Sequence, residues 1–149
     1  MEQDAPTIEA FRRVDKEINA VYNSAIKRSG ISLSEFWILL LVWEGVSVQK
    51  EIARQLFWSK QTVNSACSKL VERGLVCLKT SAGSRRERVV VLTEKGMEFS
   101  RSHIGRMEAV EERIWQGFTL EERRLAVELL ERYCHQLRQG LENEGENQA

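Results

Sequence analysis

Proline, cysteine and histidine are all scarce in this chain of 149 residues, with one, three and two copies respectively. Each scarcity excludes something. The single proline is Pro6, so no later helix is interrupted by a residue that removes a backbone donor. Cys67, Cys77 and Cys134 are odd in number and unclustered, which excludes a disulfide framework and implies a reducing compartment. Glu131, Cys134 and His135 are close in sequence, but a zinc site wants three or four convergent ligands and this spacing does not promise them. There is no glycine-rich phosphate loop, nucleophile elbow or His-x-x-Glu pair, so catalysis is not expected. The longest apolar run, Phe36 to Trp43, is eight residues, against about 20 for a membrane span. No charged n-region followed by an apolar h-region opens the chain. The expectation is one ordinary domain, cytoplasmic, with no membrane association, no metal and no cofactor.

Charge is balanced overall, at 22 Lys+Arg against 22 Asp+Glu. That balance hides an asymmetry. Residues 50–96 hold ten Lys/Arg and four Glu, a local net charge of +6, which leaves −6 for the remainder. A basic segment in an acidic frame suits phosphate binding without general polycation behaviour, although a solvated face would show the same excess.

Apolar periodicity and termination signals divide the chain into helices. Phe11, Val14, Ile18, Val21 and Ala25 recur at 3-4-3-4 spacing, predicting a first helix from about Thr7 to Gly30 with a narrow apolar seam. Ser32-x-x-Glu35 reads as a capping box opening a second helix that closes at Gly45. Its residues Phe36 to Trp43 are apolar almost all round, so it must be covered on most sides. Ser47 is positioned to cap a third helix, Val48 to Phe57, with Ile52, Ala53 and Leu56 inward and Gln49, Lys50 and Arg54 outward. Ser59 can cap a fourth, ending at Arg73 before Gly74.

The fourth helix carries the most specific chemistry. At about 100° per residue, Val63, Ala66, Cys67 and Leu70 share one face, and Gln61, Thr62, Ser65, Ser68 and Lys69 the other. A small, polar, hydrogen-bonding face ending in a cation fits a major groove about 12 Å wide. Gln61 can pair both donor and acceptor of adenine, while Thr62, Asn64 and Ser65 are placed for phosphates or thymine methyls. Ser59, Lys60, Lys69 and Arg73 complete this candidate surface. Two β-like runs follow, Leu75–Thr80 and Arg88–Leu92, joined by a loop from Ser81 to Glu87 with turn chemistry. Arg85, Arg86 and Arg88 would bring guanidinium groups to an adjacent minor groove and backbone. Helix, turn, helix and basic hairpin stand in the order of a winged helix-turn-helix whose partner is double-stranded DNA.

The string QKEIARQLFWSKQTVNSACSKLVERGLV, followed by SRRERVVVLTEKG, resembles the winged-helix core of the MarR family of bacterial transcriptional regulators. The resemblance implies a mostly α fold with a small β-wing. In it a winged helix-turn-helix module, here residues 31–96, is flanked by dimerisation helices, here 1–30 and 97–149, all within a single MarR-like domain. The family's wing usually carries Asp-x-Arg. The matching residues here are Ser84, Arg85 and Arg86, which keep the arginine and lack the carboxylate. The family's recognition helix commonly has an arginine where this chain has Ser65.

The resemblance also implies a homodimer. Thr93 can cap a helix reaching Phe118, and Thr119-x-x-Glu122 reads as a second capping box opening the last helix. In that last helix Ala126, Leu130, Tyr133 and Leu137 follow a 4-3-4 seam. The dimerisation residues expected are therefore Phe11, Val14, Ile18 and Val21 at one end, and Leu130, Tyr133 and Leu137 at the other. Two recognition helices would then read a pseudo-palindromic operator. Trp37, Trp43, Trp58 and Trp115 serve either core packing or a pocket for a small aromatic effector. Two alternatives remain beside a ligand-responsive repressor. One is a winged-helix protein-interaction module that no longer binds DNA. The other is a regulator sensing redox state through Cys134 or metal through His135.

Overall fold

The computed structural model describes residues 7–146 apart from Ala82, and side chains outside 84–86 and 144–146. The order is α1 (Ile8–Arg28), α2 (Leu33–Trp43), α3 (Gln49–Leu56), α4 (Lys60–Glu72), β1 (Val76–Ser81), β2 (Ser84–Leu92), α5 (Glu94–Gln116) and α6 (Leu120–Glu146). The fold is mostly α with a two-stranded antiparallel wing, as the sequence predicts. The chain divides into two compact units, Met1–Arg106 and Met107–Ala149.

Local chemistry sets most boundaries. Both expected capping boxes form. The Ser32 hydroxyl accepts from the Glu35 N–H at 3.3 Å while Glu35 Oε2 accepts from the Ser32 N–H at 2.8 Å. At α6, the Thr119 N–H donates to Glu122 Oε2 at 2.7 Å and the Glu122 N–H to Thr119 Oγ1 at 3.2 Å. Each box satisfies two donors that a helix start leaves unpaired. Helix α4 ends in a Schellman motif. Gly74 sits at φ +70°, its N–H donates to the Val71 carbonyl, and the Leu75 N–H donates to the Leu70 carbonyl. Glycine adopts that left-handed geometry without steric cost.

Three local features differ from the sequence expectation. Ser47 does not cap α3; Val48 holds the N-cap position without a side-chain bond. Ser47 and Val48 are drawn instead into the sheet, where the Ser47 carbonyl accepts from the Val90 N–H at 2.8 Å and Val48 bridges Val89. An extended backbone beside an open strand edge finds its partners there. The wing loop is also shorter than predicted. β2 begins at Ser84, and the register steps from Thr80↔Arg88 to Ser81↔Ser84, so residues 85–87 are accommodated as an irregularity of the strand. An antiparallel ladder needs only backbone groups, so polar residues at the tip do not end it. Finally, α3 stops at Leu56 rather than at the predicted Phe57, which caps it in the left-handed conformation, φ +55°. That conformation costs a residue with a Cβ about 1–2 kcal/mol.

The core of the first unit forms around α2. Phe36, Ile38, Leu39 and Leu41 are buried, together with Ile26, Ile31, Ile52, Val63, Ala66, Cys67, Leu70, Leu75, Val76, Val90 and Ile104. A helix apolar on nearly every side needs cover on nearly every side, and the neighbouring elements supply it. The LTEKG motif locks α5 to this core. Thr93 Oγ1 donates to the Gly74 carbonyl at 2.6 Å and accepts from the Gly96 N–H at 2.9 Å. Gly96 passes so close to the backbone leading into β1 that a Cβ there would lie 1.8 Å from the Leu75 carbonyl oxygen. In the second unit, no described residue of α6 is buried.

Candidate nucleic-acid interface

The inner face of α4 is anchored as its periodicity demands, with Val63, Ala66, Cys67 and Leu70 buried. The opposite face is open: Lys60, Gln61, Thr62, Asn64, Ser65, Ser68 and Lys69 are all exposed. Ser59 caps the helix by accepting from the Thr62 N–H at 3.1 Å, and its hydroxyl also lies 2.9 Å from Thr62 Oγ1. That bond holds Thr62 near the helix start, leaving Gln61 exposed with a long amide side chain. Asn64 and Ser68 lie one turn apart, and Ser68 donates to the Asn64 carbonyl at 3.0 Å.

A cleft of about 390 Å³ separates α4 from the wing and the start of α3. Lys60, Val63 and Asn64 line it from α4, Gln49 and Lys50 from α3, and Glu87 and Arg88 from β2. Three cations against one carboxylate make it electropositive. Lys60 and Arg88 belong to the candidate set read from sequence. Gln49 and Lys50 extend that set. The outward phase of Lys50 was visible in the sequence, whereas Gln49, read there as outward, is half-buried and bonds the Cys67 thiol; the proximity of that helix start to the wing was not visible. Arg85 and Arg86 fall within β2, and their side chains lie outside the described residues.

Arg73 is placed differently from the other cations. As C-cap of α4 it directs Nε to Glu35 Oε1 at 2.7 Å, and its side chain is 46% exposed while that of Glu35 is 1% exposed. Its backbone carbonyl accepts from Lys95 Nζ at 2.7 Å. Burial raises the Glu35 pKa, but the Ser32 hydrogen bonds and the Arg73 guanidinium outweigh it and hold the carboxyl below its ordinary value. Arg73 thus ties the end of α4 to the start of α2. On α3, Arg54 Nε donates to Glu51 at 2.9 Å and Gln55 donates to the same carboxylate, lowering the Glu51 pKa to about 2.

The remaining sequence candidates are distributed as follows. Cys67 is fully buried, and desolvation pushes its thiol pKa up, partly offset by a hydrogen bond from Gln49. Such a thiol is a core residue and a poor nucleophile. Cys77 is half-buried and Cys134 exposed. His103 stacks on Phe99 and places Nδ1 3.0 Å from the Phe99 carbonyl. Among the described residues, no three His, Cys, Asp or Glu side chains converge as a metal site would require. None of the four tryptophans is fully buried, and Trp115 edges a shallow hollow of about 470 Å³ with Leu120, Arg123 and Val127. In α1 the seam residues Phe11, Val14, Ile18 and Val21 are exposed, and so are Leu130, Tyr133 and Leu137 in α6. Among the described residues no helix is long and apolar enough to cross a membrane.

Residues 29–87 match the model of the MarR family. No curated protein sequence matches the chain significantly. Solved structures show the same fold at low identity. A MarR family regulator from Neisseria meningitidis is 19% identical with a TM-score of 0.77, covering 92% of this chain and 97% of its own. The S. aureus MepR–DNA complex is 18% identical with a TM-score of 0.68, covering 85% of this chain and 94% of its own. CouR from Rhodococcus jostii RHA1, solved with p-coumaroyl-CoA, is 21% identical with a TM-score of 0.67, covering 80% and 85%.

Proposed function

We propose that this chain is a sequence-specific, duplex-DNA-binding transcriptional regulator, since residues 29–87 match the MarR family model and the fold is similar to that of such regulators. It acts as a homodimer, most simply as a ligand-responsive repressor in the cytoplasm, and has no catalytic role. The observation that carries the reading is the convergence of the open polar face of α4 with Lys50, Lys60 and Arg88 around one cleft. A backbone phosphate meets three cations there, while Gln61 and its neighbours reach base edges from the exposed side of the same helix.

The exposed apolar seams of α1 and α6 support pairing, since long helices do not keep such seams in water without a partner. A twofold pair offers two α4 helices to successive major grooves, about 34 Å apart. The similarity in fold to MepR, solved on DNA, and to CouR, solved with p-coumaroyl-CoA, supports both arms of the proposal. A small effector that binds the DNA-competent and incompetent spacings unequally would shift occupancy of the operator.

Titration against a random-sequence duplex at several salt concentrations tests the reading. A regulator of this kind loses affinity linearly in log salt, with a slope set by the number of phosphates neutralised. Absence of salt-dependent binding would overturn it and favour a winged-helix module that binds protein alone.

A further inference from the structure

Among the described residues Phe57 is the most exposed large apolar residue of the first unit, at 85%, and it is also the one non-glycine residue with positive φ, at +55°. The two facts compound each other. The fold holds a bulky residue in a conformation that glycine occupies freely, and gains no burial of the ring in return. Its backbone does the ordinary work of the position, since its N–H donates to the Arg54 carbonyl and that of Trp58 to the Ala53 carbonyl. Glycine would make both bonds. Nothing in the folding of the chain therefore calls for the ring.

The position of Phe57 indicates what does. It lies two residues before Ser59, the cap of α4, and three before Lys60, which lines the electropositive cleft. It directly follows α3, and Lys50 at the start of that helix lines the same cleft. The exposed ring thus stands in the chain between two cations of that cleft, Lys50 and Lys60. Resting on the DNA-binding reading above, we infer that Phe57 is a DNA contact of the helix-turn-helix turn. Its ring packs on deoxyribose, or on a thymine methyl, at the rim of the groove that α4 enters. Such a contact is apolar and neutralises no phosphate.

Three variants and one probe test this. The probe is a labelled duplex enriched by the wild-type protein from a randomised pool. Phe57→Gly relieves the strain and removes the ring. It is expected to raise the urea midpoint of the free protein while weakening duplex binding about fivefold to tenfold, with an unchanged slope of log affinity against log salt. Phe57→Tyr keeps the ring and should bind as the wild type does. Lys60→Ala should reduce the salt slope by about one. Opposite signs for stability and binding are something a purely structural residue cannot produce. Wild-type affinity in Phe57→Gly would overturn the contact and leave a protein partner as the reason for the exposed ring. A reduced salt slope in Phe57→Gly would also overturn it, because the ring would then act by positioning cations. A wild-type protein without salt-dependent duplex binding would overturn the DNA-binding reading itself, and this contact with it.

Discussion

The carboxylate of Glu35, 1% exposed, receives the Arg73 Nε at 2.7 Å and the Ser32 backbone N–H at 2.8 Å, so one buried acid joins the start of α2 to the end of α4. These residues are 38 positions apart in sequence. The pair sets where α4 ends relative to the core helix it packs on. We expect Glu35→Gln to destabilise the fold by about 1–2 kcal/mol, since Arg73 is half-exposed and water takes up part of the loss. Arg73→Ala should cost a similar amount, and the double variant less than the sum. Urea unfolding of the four proteins checks this, and strict additivity would show that the two residues do not interact.

The same carboxylate predicts an acid limb. Its folded pKa is lowered, so the stability it contributes is fully present above the unfolded carboxylate value of about 4.3 and is lost as pH falls below that, through the lower folded value. Stability measured from pH 6 down to pH 3 should therefore fall less steeply in Glu35→Gln than in the wild type. Parallel curves would remove Glu35 from the account of acid unfolding.

Gly96 and Gly105 lie on one helix and should respond to alanine with opposite signs. A Cβ at Gly96 would sit 1.8 Å from the Leu75 carbonyl oxygen, a backbone atom that can yield only if β1 shifts, whereas at Gly105 its nearest neighbour is the Trp43 ring at 3.7 Å. Gly96→Ala is expected to destabilise by about 3 kcal/mol through overpacking. Gly105→Ala should stabilise by up to about 1 kcal/mol through helix propensity. Thermal melts distinguish the two, and a neutral Gly96→Ala would mean that the close approach to Leu75 relaxes at little cost.

Removal of the Gln61 amide by Gln61→Ala should lose about 1–3 kcal/mol at a single base pair and relax preference there, while leaving the salt slope intact. Arg88→Ala should act the other way, weakening all duplexes alike and lowering the slope by about one. Selection from randomised duplex followed by salt titration reads both quantities. Exchange of the two phenotypes would reverse the assignment of base and phosphate contacts.

The exposed seams of α1 and α6 carry the expectation of a dimer. A glutamate at Ile18 or Leu137 would place a charge in an apolar interface, at a cost of roughly 2 kcal/mol or more. Sedimentation should then show Ile18→Glu and Leu137→Glu shifted toward monomer at concentrations where the wild type is paired. An unchanged distribution would place pairing elsewhere.

Most of this was legible along the chain because it is local. Caps at Ser32, Ser59 and Thr119, stops at Gly45 and Gly74, and the inner face of α4 all depend on residues within one or two turns of each other. The polar face of α4 follows from the same periodicity, and so does the basic excess of residues 50–96. What tertiary structure alone decided are relationships across long separations. Ser47 left its expected cap because an open strand edge lay beside it. Arg73, read as a cation for phosphate, lies against Glu35 because two helix ends meet. Lys50 joined Lys60 and Arg88 because the wing folds back to the start of α3. Periodicity reports which way a side chain faces on its own element; which element it then faces depends on packing, and that is where a charged residue becomes a brace or a contact.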